Sequence, residues 1–143
     1  MTPTTDTHPI VVVGFDGSPA SHVALSRAIQ RVGATGTLYL VHAWQERPDA
    51  DPAGVIEQAE RAHPALAGIR WDAEPIAGPA ATAIADVAQV RGADEIIVGT
   101  RGFGRVRALL GSVAHELIHL AACPVTVIPE RMVETPAETA VAA

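Results

Sequence analysis

Short apolar runs alternate along this chain with stretches of helical periodicity, and few architectures accept that alternation. Ile10-Val11-Val12-Val13, Thr37 to Trp44, Glu95 to Val98 and Val125 to Ile128 are brief and largely apolar. Continuous runs this short are expected of strands covered on both faces. Ile69 to Ile76 differs: Ile69, Trp71 and Ala73 alternate with Arg70, Asp72 and Glu74, as in a half-exposed strand near a sheet edge. Between these runs, Ala20, Val23, Ala24, Ala28, Ile29 and Val32 recur at helical spacing, as do Ala80, Ala83, Ile84, Val87, Ala88 and Val90. Ala53 to about Ala62 and Val113 to Ala122 read as two further helices. The order is β-α-β-α-β-α-β-α-β. It predicts an α/β domain with a parallel sheet, right-handed crossovers and helices on both faces. Ligands of such sheets bind beyond the carboxyl ends of the strands, where the strand order reverses.

The punctuation agrees. Ser18-Pro19 and Asp51-Pro52 each place a capping side chain before a proline suited to the first helical position. Gly33 and Gly92 are helix stops. His63-Pro64 and Cys123-Pro124 end their helices, Gly78-Pro79 opens one, and Ser112 is the expected cap of the last.

With 143 residues the chain suits one domain with a real core. Two Trp, two Phe and one Tyr leave that core to Val, Ile, Leu and Ala. The expected domain is 10–130, between polar tails at 1–9 and 131–143. The net charge of −6 argues against nucleic-acid or membrane partners. All ten basic residues are Arg, so a phosphate loop that needs Lys is excluded. Cys123 is the single cysteine, Met1 to Pro9 has no signal-peptide pattern, and no apolar run reaches the length of a membrane span. The expectation is a soluble, cytoplasmic protein.

Val98 to Ser112 carries the densest chemistry, with four Gly and three Arg between a strand and a helix. Backbone N–H groups at glycines, a helix N-terminus and Arg forks together suit a phosphate. The alternative is a surface loop whose arginines only aid solubility. If the first and fourth strands are neighbours, this loop and Gly14 to Ser18 line one crevice.

Taken together, Val11 to Ser18, Leu40 to Ala43, Ile96 to Gly102, Gly111-Ser112-Val113 and Cys123-Pro124-Val125 resemble the universal stress proteins, over about Ile10 to Pro129. The resemblance implies a flavodoxin-like, doubly wound, five-stranded parallel sheet in the order 3-2-1-4-5. It also implies an adenine-nucleotide site. Asp16 matches the acid near ribose and adenine. Gly14 and Phe15 match backbone and apolar contacts to the base, and Ala43 a position beside it. Val98 and Gly99 match contacts to base or ribose. Arg101, Gly102, Gly111, Ser112, Val113 and Ala114 match the phosphate cradle. The family pattern sets nine residues between its second glycine and the final Gly-Ser; here Phe103 to Leu110 supplies eight.

The function this resemblance implies is ATP binding, with or without magnesium, by a regulatory module in stress response that is not an enzyme. Relatives imply a homodimer through Val125 to Ile128. The short spacer motivates a second expectation, the same fold acting through protein contacts without nucleotide. A third comes from His115-Glu116-Leu117-Ile118-His119, which is literally H-E-x-x-H. It would suit zinc hydrolysis, with Glu130, Glu134 or Glu138 as further ligand candidates. The simpler reading is a half-exposed helix face, with no resident metal. His42 reads as a satisfied core or crevice-lining residue, Cys123 as a small packing residue, and Trp44 and Trp71 as packing residues.

Overall fold

A computed structural model describes residues 8–100 and 111–129. Five parallel strands alternate with helices: β1 (Ile10–Gly14), α1 (Pro19–Val32), β2 (Thr37–Trp44), α2 (Pro52–Ala62), β3 (Arg70–Ala77), α3 (Ala80–Arg91), β4 (Glu95–Gly99), α4 (Ser112–Leu120) and β5 (Val125–Ile128). The sheet order is β3-β2-β1-β4-β5, as expected for the flavodoxin-like topology. Each neighbouring pair is parallel, with Gly14 opposite Val41, Val13 opposite Ile97, and Val98 opposite Val127.

The period of two along each strand sorts the core into two layers. Val11, Val13, Leu38, Leu40 and Ile97 pack on α1 and α2, with Ala24, Leu25, Ala28 and Ala59. Val12, Val41, Ile96 and Val98 face α3 and α4, with Ile84, Val87, Ala114 and Leu117. The central strands β1 and β4 are thus buried on both sides, which is why their sequences are continuous apolar runs.

The helix starts follow local chemistry. Ser18 Oγ accepts the Ser21 N–H at 3.3 Å and Pro19 opens α1. Asp51 Oδ1 accepts the Gly54 N–H at 3.1 Å and Pro52 opens α2, one residue earlier than the sequence reading. Gly92 ends α3 in a left-handed conformation at φ 66°, a region open to glycine.

Five expectations need correction. The helix of Val113 to Ala122 ends earlier, at Leu120, and starts at Ser112. Ser112 is therefore not its cap: Gly111 takes that place and has no side chain to cap with. Val90 is 80% exposed, because it lies off the Ala83, Ile84, Val87 stripe that faces the sheet. The edge strand is Arg70–Ala77, one residue later than expected, because Pro64–Gly68 forms a 3-10 turn that buries Leu66 and ends at Ile69. His8 and Pro9, expected within a loose tail, are held: the His8 ring donates to the Thr35 carbonyl at 3.2 Å and the Pro9 carbonyl accepts the Thr37 N–H at 2.9 Å. The expected tail from Arg131 lies outside the described residues.

Candidate functional site

The strand order reverses between β1 and β4, and beyond the carboxyl ends at such a switch point is where doubly wound sheets form a ligand crevice. On one side runs the turn from Gly14 to Ser18. The Phe15 N–H donates to the Val41 carbonyl at 2.9 Å, which carries the β1 pairing one residue past the strand. His42 Nδ1–H donates to the Phe15 carbonyl at 3.0 Å, so this buried histidine is satisfied and fixes the turn. Asp16 Oδ1 accepts the Ser18 N–H at 2.9 Å. Its side chain is exposed, and no described residue donates to its other carboxylate oxygen. Gly17 turns the chain at φ 85°, beside Gln58 of α2.

On the other side β4 ends at Gly99. The Thr100 N–H donates to the Ile128 carbonyl at 2.8 Å, and the Thr100 hydroxyl donates to the same oxygen. The Gly111 N–H donates to the Thr100 carbonyl at 2.8 Å, which brings the start of α4 to the end of β4. The His115 N–H is bonded to the Gly111 carbonyl at 2.9 Å. The N–H groups of Ser112, Val113 and Ala114 precede that bond, in the first turn where a helix leaves its donors without partners of its own. With no capping side chain at Gly111, these donors and the helix dipole favour an anion.

Of the twelve residues matched to the site, Gly14, Phe15, Asp16, Ala43, Val98, Gly99, Gly111, Ser112, Val113 and Ala114 lie at strand carboxyl ends or the α4 start. Arg101 and Gly102 fall outside the described residues, as do Arg105 and Arg107. The placement refines what each can offer. The Phe15 ring is 2% exposed and packed in the α1 layer, so Phe15 offers backbone rather than its ring. Val98 and Ala114 are core residues of the α3–α4 layer and likewise present main chain. Ser112 is exposed, with its hydroxyl at the helix start.

A group with no sequence signal joins the Asp16 turn to α2. His22 Nδ1 and His63 Nε2 lie 2.9 Å apart, and Gln58 Nε2 lies 3.2 Å from His22 Nε2. The edge of one ring meets the face of the other between Phe15 and His22, with centroids 4.9 Å apart. Partial burial holds both imidazoles below their ordinary pKa; Asp16 pulls His22 partly back up, and His22 pushes His63 further down.

The H-E-x-x-H segment lies on α4 with His115 and His119 both exposed and ring centroids 5.2 Å apart. Among the described residues no group of three or more His, Cys, Asp and Glu is arranged to hold a metal ion. Glu130, Glu134 and Glu138 lie outside those residues. Cys123 packs partly buried against the α3–α4 layer, and burial, with Asp94 and Glu95, pushes its thiol up, away from the reactive thiolate.

The sequence model described as the universal stress protein family matches residues 8–129. The chain belongs to this family. A universal stress protein of Thermus aquaticus is 35% identical over 132 residues, covering 82% of this chain and 96% of the relative. A universal stress protein of Mycobacterium tuberculosis is 33% identical over 135 residues; the match covers 84% of this chain but only 45% of that longer relative. Among solved structures, a universal stress protein in complex with cAMP is similar with a TM-score of 0.71 and 27% identity, covering 87% of this chain and 98% of that one. A universal stress protein of Arabidopsis thaliana with AMP bound has a TM-score of 0.67 and, at 18% identity, supports the fold alone. No helix among the described residues is long and apolar enough to cross a membrane.

Proposed function

We propose that the crevice between the Asp16 turn and the α4 N-terminus binds an adenine nucleotide, ATP in the first instance, with or without magnesium. The observation that carries this reading is the pairing of chemistries at one switch point. An exposed carboxylate with an oxygen open to sugar hydroxyls stands at the end of β1, and an uncapped helix N-terminus suited to phosphate follows β4. A relative that aligns along 98% of its own length in complex with cAMP supports the same class of ligand. Ser112 supplies a hydroxyl beside the phosphate, and Gly14, Phe15, Val98 and Gly99 supply main chain to base and ribose. Arg101 and Gly102 complete the cradle in this reading.

The role is that of a cytoplasmic regulatory module in stress response, one that binds and signals rather than turns nucleotide over. Homodimerisation through β5 supplies the surface that binding would modulate; β5 is the last strand of the sheet order, with its outer edge unpaired among the described residues. Isothermal titration of the purified protein with ATP, AMP and cAMP, with and without magnesium, tests the ligand. Saturable binding of at least one is expected. Its absence up to about 1 mM, an affinity of only about 4 kcal/mol, overturns the reading.

A second reading has a specific observation behind it. The eight residues from Phe103 to Leu110 fall one short of the family's nucleotide pattern. On that reading the same fold acts through protein contacts alone.

A further inference from the structure

His22 lies in the first turn of α1 and His63 directly follows α2, so the two rings bridge separate elements. Their planes are 16° apart, their centroids 5.2 Å apart and the facing nitrogens 2.9 Å apart. An imidazole ring extends about 1 Å from its centre, so these distances place the rings edge to edge, joined by an N–H···N bond. Such a bond needs one protonated nitrogen and one lone pair.

With the Gln58 amide nitrogen as donor, His22 Nε2 accepts. The neutral His22 proton then sits on Nδ1 and is donated to His63 Nε2. This chain has a strict proton capacity. A first added proton can go to His22 Nε2 once the Gln58 amide turns its oxygen, and the N–H···N bond survives. A second must go to His63 Nε2, and there it removes the acceptor and sets two cations edge to edge, with N–H pointing at N–H. Asp16 favours a charge on His22 alone, and among the described residues no acid acts on His63. Asp16, on the β1–α1 turn, is the charged group whose field reaches His22, and His22 is the one that acts on His63. On α2, Glu57 and Arg61 pair with each other at 3.9 Å and Glu60 is exposed.

Apart from this bond, α2 is held by a narrow apolar contact, Ala59 with the half-buried Val55 and Ile56. Only Ala59 is buried within α2, against six residues in α1 and five in α3. Gln58 also lies against Gly17, so α2 braces the turn that carries Asp16.

We propose that the His22–His63 pair is a proton-controlled latch, which holds α2 against the Asp16 turn and releases it when the second proton arrives. The latch stands whether or not the crevice binds nucleotide. Both imidazoles prefer to stay neutral in the fold, so release belongs to the acid side of their ordinary range.

Amide hydrogen exchange on the full chain between pH 8 and pH 5, corrected for intrinsic rates, reads the latch directly. Protection of residues 52–62 is expected to fall on acidification, while that of α1 and α3 is kept. In the linked range the open fraction rises about tenfold per pH unit for one proton taken up. His63→Gln keeps a hydrogen-bonding side chain that does not titrate, and should flatten this dependence. Protection of α2 that is independent of pH in the wild type, or equally dependent in His63→Gln, overturns the proposal. Ring nitrogen NMR of the wild type tests it without any variant. Two coupled steps at His22 and His63, both on the acid side, are expected; two independent titrations at the ordinary value sink the latch.

Discussion

Ala20 occupies the space in which a side chain on Gly99 would begin: a Cβ there would lie 2.6 Å from the Ala20 Cβ and 3.2 Å from its carbonyl carbon. Neither neighbour can rotate away, so α1 would have to shift bodily off β4. The glycine that ends β4 is thus required by helix packing before any ligand is considered. Gly99→Ala is expected to destabilise the fold by about 1–3 kcal/mol, the range for overpacking. Gly14→Ala is the contrast. Its added carbon would meet Ile84 Cδ1 at 2.7 Å, the far end of a side chain that can change rotamer. Urea unfolding should show the larger loss at Gly99; equal losses would refute this account.

Asp16→Asn tests the proposed sugar contact with little cost to the turn. The Asn oxygen can still accept the Ser18 N–H that Asp16 Oδ1 accepts at 2.9 Å. What is lost is charge and acceptor capacity at the other oxygen. Hydrogen bonds to charged groups contribute about 1.5–3 kcal/mol, so adenine-nucleotide affinity should fall about tenfold or more in a calorimetric titration. The melting temperature without nucleotide should stay close to that of the wild type.

The histidine pair also predicts a pH dependence of global stability. Both folded-state pKa values lie below the ordinary value, with burial the main cause. The unfolded chain therefore binds more protons wherever its histidines, titrating near 6.5, are charged and the folded ones are not. The stability these groups contribute is present above about pH 6.5 and is lost as pH falls through their folded values. Urea midpoints should decline between pH 7 and pH 5, and the decline should be shallower in His63→Gln. A midpoint that rises on acidification would contradict this sign.

The proposed dimer edge can be closed with one residue. In the β4–β5 register Val98 lies opposite Val127, and the Thr100 N–H bonds to the Ile128 carbonyl at 2.8 Å. Alternation along a parallel strand then turns the Val125 and Val127 peptide groups to the outer edge. Proline at Val127 removes an outward N–H and spares the bonds to β4. Light scattering should find the wild type dimeric and Val127→Pro monomeric, with α/β circular dichroism retained. A monomeric wild type would end the dimer proposal.

Inserting one residue between Phe103 and Gly111 separates spacing from chemistry. Lengthening an eight-residue spacer by one changes closure entropy by well under 0.6 kcal/mol, the cost of a full doubling. Stability should therefore be almost unchanged. If the shorter spacer leaves the wild type without nucleotide affinity, the insertion should create ATP binding; an inserted chain that still does not bind would remove spacing as the reason.

The fold was legible because its signals are local and repeat. Ile10 to Val13 and Glu95 to Val98 announce strands buried on both faces, and Ser18-Pro19 and Asp51-Pro52 announce their helices. Errors arose where tertiary contacts outrank local pattern. Val90 continues an apolar series yet points to water, and Leu25, absent from the expected stripe, is fully buried. At the candidate site, family motifs pointed to Asp16, Ala43 and Ser112, and the fold places them after β1, near the end of β2 and at the start of α4. The burial of Phe15, Val98 and Ala114 could not be read from them, because strand-end residues face either core or crevice and motif spacing does not say which. The His22–His63 contact spans 41 residues and belongs to no motif. Only the packing of α2 on the β1–α1 turn brings those rings together.

The Gly111 N–H to Thr100 carbonyl bond of 2.8 Å has a consequence for how such a crevice can diversify. It clasps the two ends of the segment between them independently of what that segment contains. The Ile128 carbonyl anchors the same clasp to the last strand. The α4 side of the proposed crevice is therefore an exchangeable cassette on a fixed mount. Segments of other lengths and charges can be swapped between Thr100 and Gly111 while the sheet, α1 and the Asp16 turn stay as they are, so ligand preference can drift without renegotiating the fold.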